Sequence, residues 1–247
     1  MHDLSATAAR RGQSHGAALV VLNSPSFGRA MLERLWAGAA LHVCADGGAN
    51  RLFDSSDASM RSSLVPHHIV GDLDSARPDV VDFYKALGSG LERAEDQDRN
   101  DLDKALDVVE RCWAAAGTPA EMRSVAVLGA FGGRFDQEMA CFNSLYRTHV
   151  NVRLYSDDNV AILLRPGAHR IRVDPRFEGP TCGLIPLGGR CDKVTTTGLR
   201  WNLSDEPLAF GELVSTSNAI SFTGSEVTDV CITTSHPLVW SSSWRLS

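Results

Sequence analysis

No C-x-x-C pair occurs in the 247 residues, and the six cysteines (Cys44, Cys112, Cys141, Cys182, Cys191, Cys231) are scattered, several inside apolar runs. That spacing argues against zinc and reads as reduced thiols, behaving as small hydrophobes, in a cytoplasmic protein. No apolar run is long enough to span a bilayer, and the polar stretch Met1–Gly16 lacks the apolar segment of a secretory signal. A basic excess is missing too: the formal net charge is −6, so nucleic-acid binding is not expected. No serine–histidine–aspartate or cysteine–histidine order stands out, which leaves nucleophilic catalysis unsupported. Internal repeats and low-complexity tracts are absent.

What remains is an ordinary globular composition, 43% hydrophobic and 22% charged. Short apolar runs at Ala17–Leu22, Leu41–Ala45, His68–Val70, Val125–Leu128, Val152–Tyr155 and Val160–Leu164 read as strands. Between them, residues at helical spacing mark amphipathic helices: Met31, Leu32, Leu35 and Trp36; Val81, Tyr84 and Leu87; Leu102, Ala105, Leu106, Val109 and Trp113; Phe135, Met139, Phe142 and Leu145. This alternation predicts an α/β domain with a mostly parallel sheet and helices on its faces. From Arg165-Pro166-Gly167 onward the pattern changes to short β-rich runs (Ile171–Val173, Thr181–Ile185, Lys193–Thr197, Leu213–Thr216, Glu226–Thr233) separated by turn residues, the signature of an antiparallel sandwich or barrel. The expected organisation is a poorly ordered tail over 1–16, an α/β domain over 17–165 and a β-sandwich over 166–247.

Acidic residues stand where the apolar runs stop. Asp46 follows Leu41–Ala45, and Asp72 and Asp74 follow His68–Val70. Asp98 and Asp101 precede a striped helix, and Asp136 sits in a glycine-rich turn after Val125–Leu128. If the runs are parallel strands, these carboxylates collect at the carboxyl edge, where open α/β sheets bind ligands. Clustered carboxylates repel one another unless a cation neutralises them. Oxygen-only ligands favour Mg²⁺ or Ca²⁺, and Mg²⁺ is commonly shared with substrate phosphates.

Each motif also has a plain structural reading. Asp72 and Asp74, if extended, point the same way toward one metal, but either also suits a loop cap. Asn100 or Asp101 suits a helix N-cap with acids in the first turn. Gly129–Gly133 offers backbone amides to a phosphate, with Arg134 as a bidentate partner, yet it is neither a Walker A motif nor G-x-G-x-x-G. The patch Ser215-Thr216-Ser217-Asn218 is rich in hydrogen-bonding groups, as a hydrophilic turn is too. Trp201, Trp240 and Trp244 suit a core or an interface as well as a flat heterocycle or a cation.

In order along the chain, Ala45-Asp46-Gly47-Gly48-Ala49-Asn50-Arg51-Leu52, Gly71-Asp72-Leu73-Asp74-Ser75, Asp96-Gln97-Asp98 with Asp101, and Gly133-Arg134-Phe135-Asp136-Gln137 are followed by four further stretches. These are Cys182–Pro186, Thr195–Leu199, Trp201-Asn202-Leu203 and Ser215–Asn218. This ordered set, running from about residue 18 to Trp240, resembles the thiamine pyrophosphokinase family of the eukaryotic type. The resemblance implies a Rossmann-like α/β domain, a C-terminal β-sandwich, and a homodimer whose sites are built from both subunits. It implies transfer of a diphosphoryl group from ATP to the hydroxyl of thiamine, giving thiamine diphosphate and AMP. Asp72, Asp74 and Asp101 would hold Mg²⁺, with Asp46 supporting them. Gln97, Arg134, Asp136 and Gln137 would position ATP or the reacting hydroxyl, and Ser215, Ser217 and Asn218 would lie near thiamine. Asp98 or Asp136 would accept the hydroxyl proton. Two other readings stay open: a thiamine-binding sensor without catalysis, and a phosphotransferase or phosphohydrolase with a different acceptor.

Overall fold

The computed structural model describes residues 14–25, 27–94, 96, 98–222, 224 and 226–244, so Gln97 and most of the expected tail lie outside the described residues. The chain forms two compact units, the first ending at Ser156 and the second beginning at Asp157.

The first unit is the expected α/β layer. Its strands are β1 (Ser14–Val21), β2 (Ala39–Ala45), β3 (His68–Gly71), β4 (Gly90–Arg93), β5 (Ser124–Leu128) and β6 (Asn151–Tyr155). They run β6-β5-β1-β2-β3-β4, and every pairing is parallel. Strand ends are in register: Val21 opposes both Cys44 and Leu128, Ala45 opposes Val70, and Gly71 opposes Arg93. All carboxyl ends therefore lie along one edge. The central strand β1 buries consecutive residues, Leu19, Val20 and Val21, as a strand covered on both faces must. Because β1 begins at Ser14, the strand takes in the last residues of the expected 1–16 tail.

Six helices connect these strands: α1 (Arg29–Gly38), α2 (Gly48–Asp54), α3 (Ala58–Arg61), α4 (Pro78–Ala86), α5 (Asp101–Ala115) and α6 (Phe135–Arg147). The α5 stripe is buried as expected, and the helix packs across β1, β2 and β3. Asn100 caps it by accepting a 2.8 Å hydrogen bond from the Asp103 amide, and also donates to Ser144 Oγ of α6 at 2.9 Å. The start of α2 lies against β1, where a Cβ on Gly48 would stand 2.1 Å from the Val21 carbonyl oxygen. In α6 the expected apolar face is wrong at its start. Phe135 is 72% exposed, while Leu145 is buried as expected, together with Cys141 and Ser144 on the side that carries the Asn100 contact.

The second unit contains β7 (Asn159–Leu164), β8 (Gly167–Val173), β9 (Glu178–Ile185), β10 (Cys191–Thr197), β11 (Glu206–Leu208), β12 (Ser215–Ala219), β13 (Thr228–Thr234) and β14 (Leu238–Trp244). One antiparallel layer is ordered β12-β9-β14-β7 and the other β11-β10-β13-β8. Alternate residues point inward, as His169, Ile171 and Val173 do along β8. Ile162, Leu164, Leu184 and Trp240 of one layer share a core with Ile171, Val194, Val230 and Ile232 of the other, which makes the unit a sandwich. The unit takes in β7, ahead of the expected boundary at 165, because β7 pairs along its whole length with β14.

Leu184 is fully buried in that core. Truncation to Ala is expected to cost about 2–5 kcal/mol of stability. The same truncation at the 45% exposed Leu87 should cost less than about 0.5 kcal/mol. Urea titration of both variants measures the contrast, and equal losses would contradict this assignment of the core.

Candidate active site

The carboxylates converge where β2 and β3 end. Asp46 leaves β2 with a φ of +46° and is 3% exposed, and its amide donates to the Val70 carbonyl at 2.7 Å. Its Oδ2 accepts from the Ser75 amide at 3.3 Å and its Oδ1 from the Ala76 amide at 3.1 Å, which ties the loop after β3 to the end of β2. At Gly71, with φ +154°, a Cβ would meet Asp46 Cβ at 2.8 Å, so the close approach of these two strand ends requires glycine there. Asn50 at the start of α2 secures the same loop, donating to the Ser75 carbonyl at 2.8 Å and accepting from the Arg77 amide at 2.9 Å.

Asp72 and Asp74 are brought together by a turn, where the sequence suggested an extended segment. Leu73 between them has φ +66°, and the Asp74 amide donates to Asp72 Oδ1 at 3.3 Å. Asp46, Asp72 and Asp74 each contribute a carboxylate oxygen to a set lying within 4.8 Å of one another. Asp101, the first residue of α5, stands beside this trio, with Lys104 Nζ 3.7 Å from its Oδ1. Burial above all, and then the charge of Asp46, pushes the Asp101 carboxyl above its usual range; Lys104 opposes the shift, while Asp72 and Asp74 add to it. Asp46 is raised for the same first reason, with the Ser75 hydrogen bonds opposing and Asp74 and Asp72 adding. Negative charge here exceeds what the neighbouring cations compensate.

A cavity of about 460 Å³ opens beside the cluster. Leu22, Asn23 and Ser24 line it from the exit of β1, Gly129, Ala130 and Phe131 from the exit of β5, and Asp101 from α5. The chain turns from β1 toward one side of the sheet and from β5 toward the other, so the cavity occupies the switch point where open α/β sheets bind ligands. Arg51 also lines it and donates through Nε to Asn23 Oδ1 at 2.9 Å.

The glycine-rich turn departs from its expected use. Glu138 Oε1 accepts from the Gly132 amide at 2.7 Å and the Gly133 amide at 3.1 Å, so the amides expected to face a phosphate are met by a carboxylate of the same chain. Arg134 pairs with Asp136 in a two-pronged contact at 3.1 and 2.5 Å, which holds the Asp136 carboxyl below its usual range. Both are exposed, and Asp136 lies outside the carboxylate trio, as does Asp98 on its exposed turn. Arg134 and Gln137 line the cavity.

In the second unit, Ser215 and Asn218 are buried and Ser217 is an exposed residue at φ +57° in an irregular part of β12. The Asn218 amide is spent on structure: Nδ2 donates to the Trp201 carbonyl at 2.8 Å and Oδ1 accepts from the Trp201 amide at 3.3 Å. It thereby presents Trp201, a residue 54% exposed, with the Arg200 guanidinium 4.6 Å from the ring centre. Trp240 and Trp244 are core residues. Sequence reasoning assigned no role to Asn50, Arg51, Lys104 or Glu138. Lys104 had a legible signal, one helical turn beyond Asp101; the others depend on loops meeting in space.

Known proteins match this chain over most of its length. A family model described as the thiamin pyrophosphokinase catalytic domain matches residues 32–156, and one described as the thiamin pyrophosphokinase vitamin B1 binding domain matches residues 168–239. Thiamine pyrophosphokinase 1 of Oryza sativa subsp. japonica is 40% identical, over 92% of this chain and 87% of its own length. Thiamine pyrophosphokinase 1 of Arabidopsis thaliana is 42% identical over 82% and 79%. The solved structure of thiamin pyrophosphokinase from Candida albicans superposes with a TM-score of 0.81 at 26% identity, covering 98% of this chain and 93% of that one. With both units matched and relatives this similar over nearly its full length, the chain belongs to the thiamine pyrophosphokinase family.

Proposed function

We propose that the protein transfers the terminal diphosphoryl group of ATP to the hydroxyl of thiamine, dependent on Mg²⁺, with thiamine diphosphate and AMP as products. The observation that carries this reading is the convergence of Asp46, Asp72 and Asp74, flanked by Asp101, beside a cavity at the switch point of the sheet. Their donor set is oxygen alone. Mg²⁺ holds its ligands at about 2.1 Å, so oxygens on opposite sides of it lie about 4.2 Å apart. The three oxygens lie within 4.8 Å of one another, and a divalent ion there would offset both the burial and the mutual repulsion that raise Asp46 and Asp101. Bound there by Asp72 and Asp74 with Asp46 and Asp101, the ion supplies charge neutralisation to phosphate oxygens.

The residues of the chain do the rest. Asp46 fixes the loop that carries Asp72 and Asp74 through the Ser75 and Ala76 amides, so the carboxylates are placed before the nucleotide arrives. Apolar lining from Leu22, Pro25, Phe131 and Cys141 suits a purine, and Arg51, Arg134 and Gln137 supply polar contacts around it. The thiamine hydroxyl oxygen forms a bond to the β-phosphorus while the bond from that phosphorus to the oxygen retained by AMP breaks; the hydroxyl proton passes to a carboxylate of the site. Positioning and electrostatics account for most of the rate in such transfers.

Thiamine carries a permanent positive charge, which the net −6 chain and its acidic cluster attract. Ser215, Ser217 and the exposed Trp201, held by Asn218, contribute to its recognition; support comes from the family-model description of this unit and from the affinity of tryptophan for cations. The protein is inferred to act in the cytoplasm, a reading supported by six free cysteines. Among the described residues no helix is long and apolar enough to cross a membrane.

Incubated with thiamine, ATP and Mg²⁺, the protein is expected to release AMP and thiamine diphosphate together, measured by chromatography. Thiamine-dependent ADP, or thiamine bound without turnover, overturns the reading.

Replacing Asp72, Asp74 or Asp101 by Asn should lower kcat at least about a hundredfold, the scale seen when transition-state charge stabilisation is lost. The metal-free Asp72→Asn protein should melt higher than wild type, because one repelling charge is gone, and should lose the Mg²⁺-induced rise in Tm. Near wild-type turnover at saturating Mg²⁺ argues against the metal role.

The exposed Trp201, Phe210 and Leu213 support a homodimer. Light scattering is expected to give twice the chain mass at micromolar concentration; a monomer at that concentration refutes it.

A further inference from the structure

Lys104 lies one turn into α5 with its side chain 5% exposed, and among the described residues its ammonium has one ion pair, to Asp101 at 3.7 Å, and no hydrogen bond. That separation is beyond hydrogen-bond length, so none of the three N–H donors is bound by the protein around it. The stem is buried while the donors stay open to a ligand oxygen.

Lys104 lines a groove of about 630 Å³, distinct from the cavity at the switch point and placed where β3 and β4 end, with Val70 and Arg93 in its wall. Its other cations are differently placed. Arg99 is engaged by Asp107 and by the Asp103 carbonyl, Arg111 by Glu92, and Arg93 is exposed at the end of β4. Those pairs neutralise two of the four acids that line the groove among the described residues; of the other two, Asp96 accepts from the Asp98 amide and Glu110 sits on the exposed side of α5. Lys104 alone among these cations also touches the carboxylate cluster, through Asp101.

We propose that Lys104 Nζ is a ligand for a phosphate oxygen of the nucleotide, and that the groove beside α5 receives the diphosphoryl end of the polyphosphate chain. This rests on the diphosphoryl-transfer reading above. A polyphosphate bound at the aspartate cluster carries more oxygens than a cation there can take. A fixed ammonium on the far side of Asp101 meets those that remain and opposes the charge that grows on them during transfer. Asp101 then has two roles, facing the cluster and holding the lysine in line.

The test compares wild type with Lys104→Met, which keeps the buried stem and removes the charge, and with Lys104→Arg, which restores the charge. Binding of inorganic diphosphate in the presence of Mg²⁺ is measured by calorimetry, together with thiamine affinity and the KM for ATP. In Lys104→Met, diphosphate affinity should fall and the KM for ATP should rise by about ten- to a hundredfold, as expected for loss of a charge-assisted hydrogen bond. Thiamine affinity should not change, and Lys104→Arg should recover part of the loss. Should the Met variant not fold, Lys104→Gln serves the same comparison. Unchanged diphosphate affinity overturns the proposal. So does an equal loss of diphosphate and thiamine binding that Arg does not rescue, which marks Lys104 as only a structural partner of Asp101. If wild type binds diphosphate through Lys104 but forms no AMP, the functional reading fails and the ligand assignment stands; if wild type forms AMP and Lys104→Met is unaffected, the reverse holds.

Discussion

Repulsion among like charges at one end of a parallel sheet is the constraint around which the first unit is organised. Parallel pairing in common register puts the exits of β2 and β3 side by side, so carboxylates there cannot avoid one another. Left alone, such a cluster would push its loops apart. The Ser75 and Ala76 amides on Asp46, the Asn50 clamp, and the absence of a Cβ at Gly71 hold the loops closed against that force. Local instability of this kind is carried by the rest of the fold, here by fully buried residues of β1, β2 and β5.

How far the sequence revealed this differs by element. Strands β1, β2 and β5 are short apolar runs with turn residues behind them, and α5 has both a cap and an unbroken stripe, so local pattern and tertiary role agree. The edge strand β4, Gly-Leu-Glu-Arg, has too few residues to show a period, and β11 has three residues including a proline. Three of the seven residues of β14 are consecutive serines, which have no strand preference, yet Ser242 is buried and the segment pairs with β7 and β9. In these cases neighbours in space, and not local preference, decide the conformation.

The site follows the same rule. Asp46, Asp72, Asp74 and Asp101 were visible because they stand where elements begin or end. What the spacing did not reveal was the division of labour. The three whose oxygens come together include Asp46, which enters through its left-handed backbone, while Asp101 joins from a helix start and brings Lys104 with it. Asn218 is a similar case in the second unit: a side chain that reads as a ligand contact is engaged with the backbone of Trp201, so its effect reaches the surface through the ring it positions.

The carboxylate of Glu138 at the Gly132 and Gly133 amides has a consequence for selectivity among anions. A tethered acid acts at a high local concentration, so chloride or a lone inorganic phosphate meets that turn with its donors already engaged. Those two donors are thereby closed to a small abundant anion. Only a guest that brings further points of attachment can gain a foothold there.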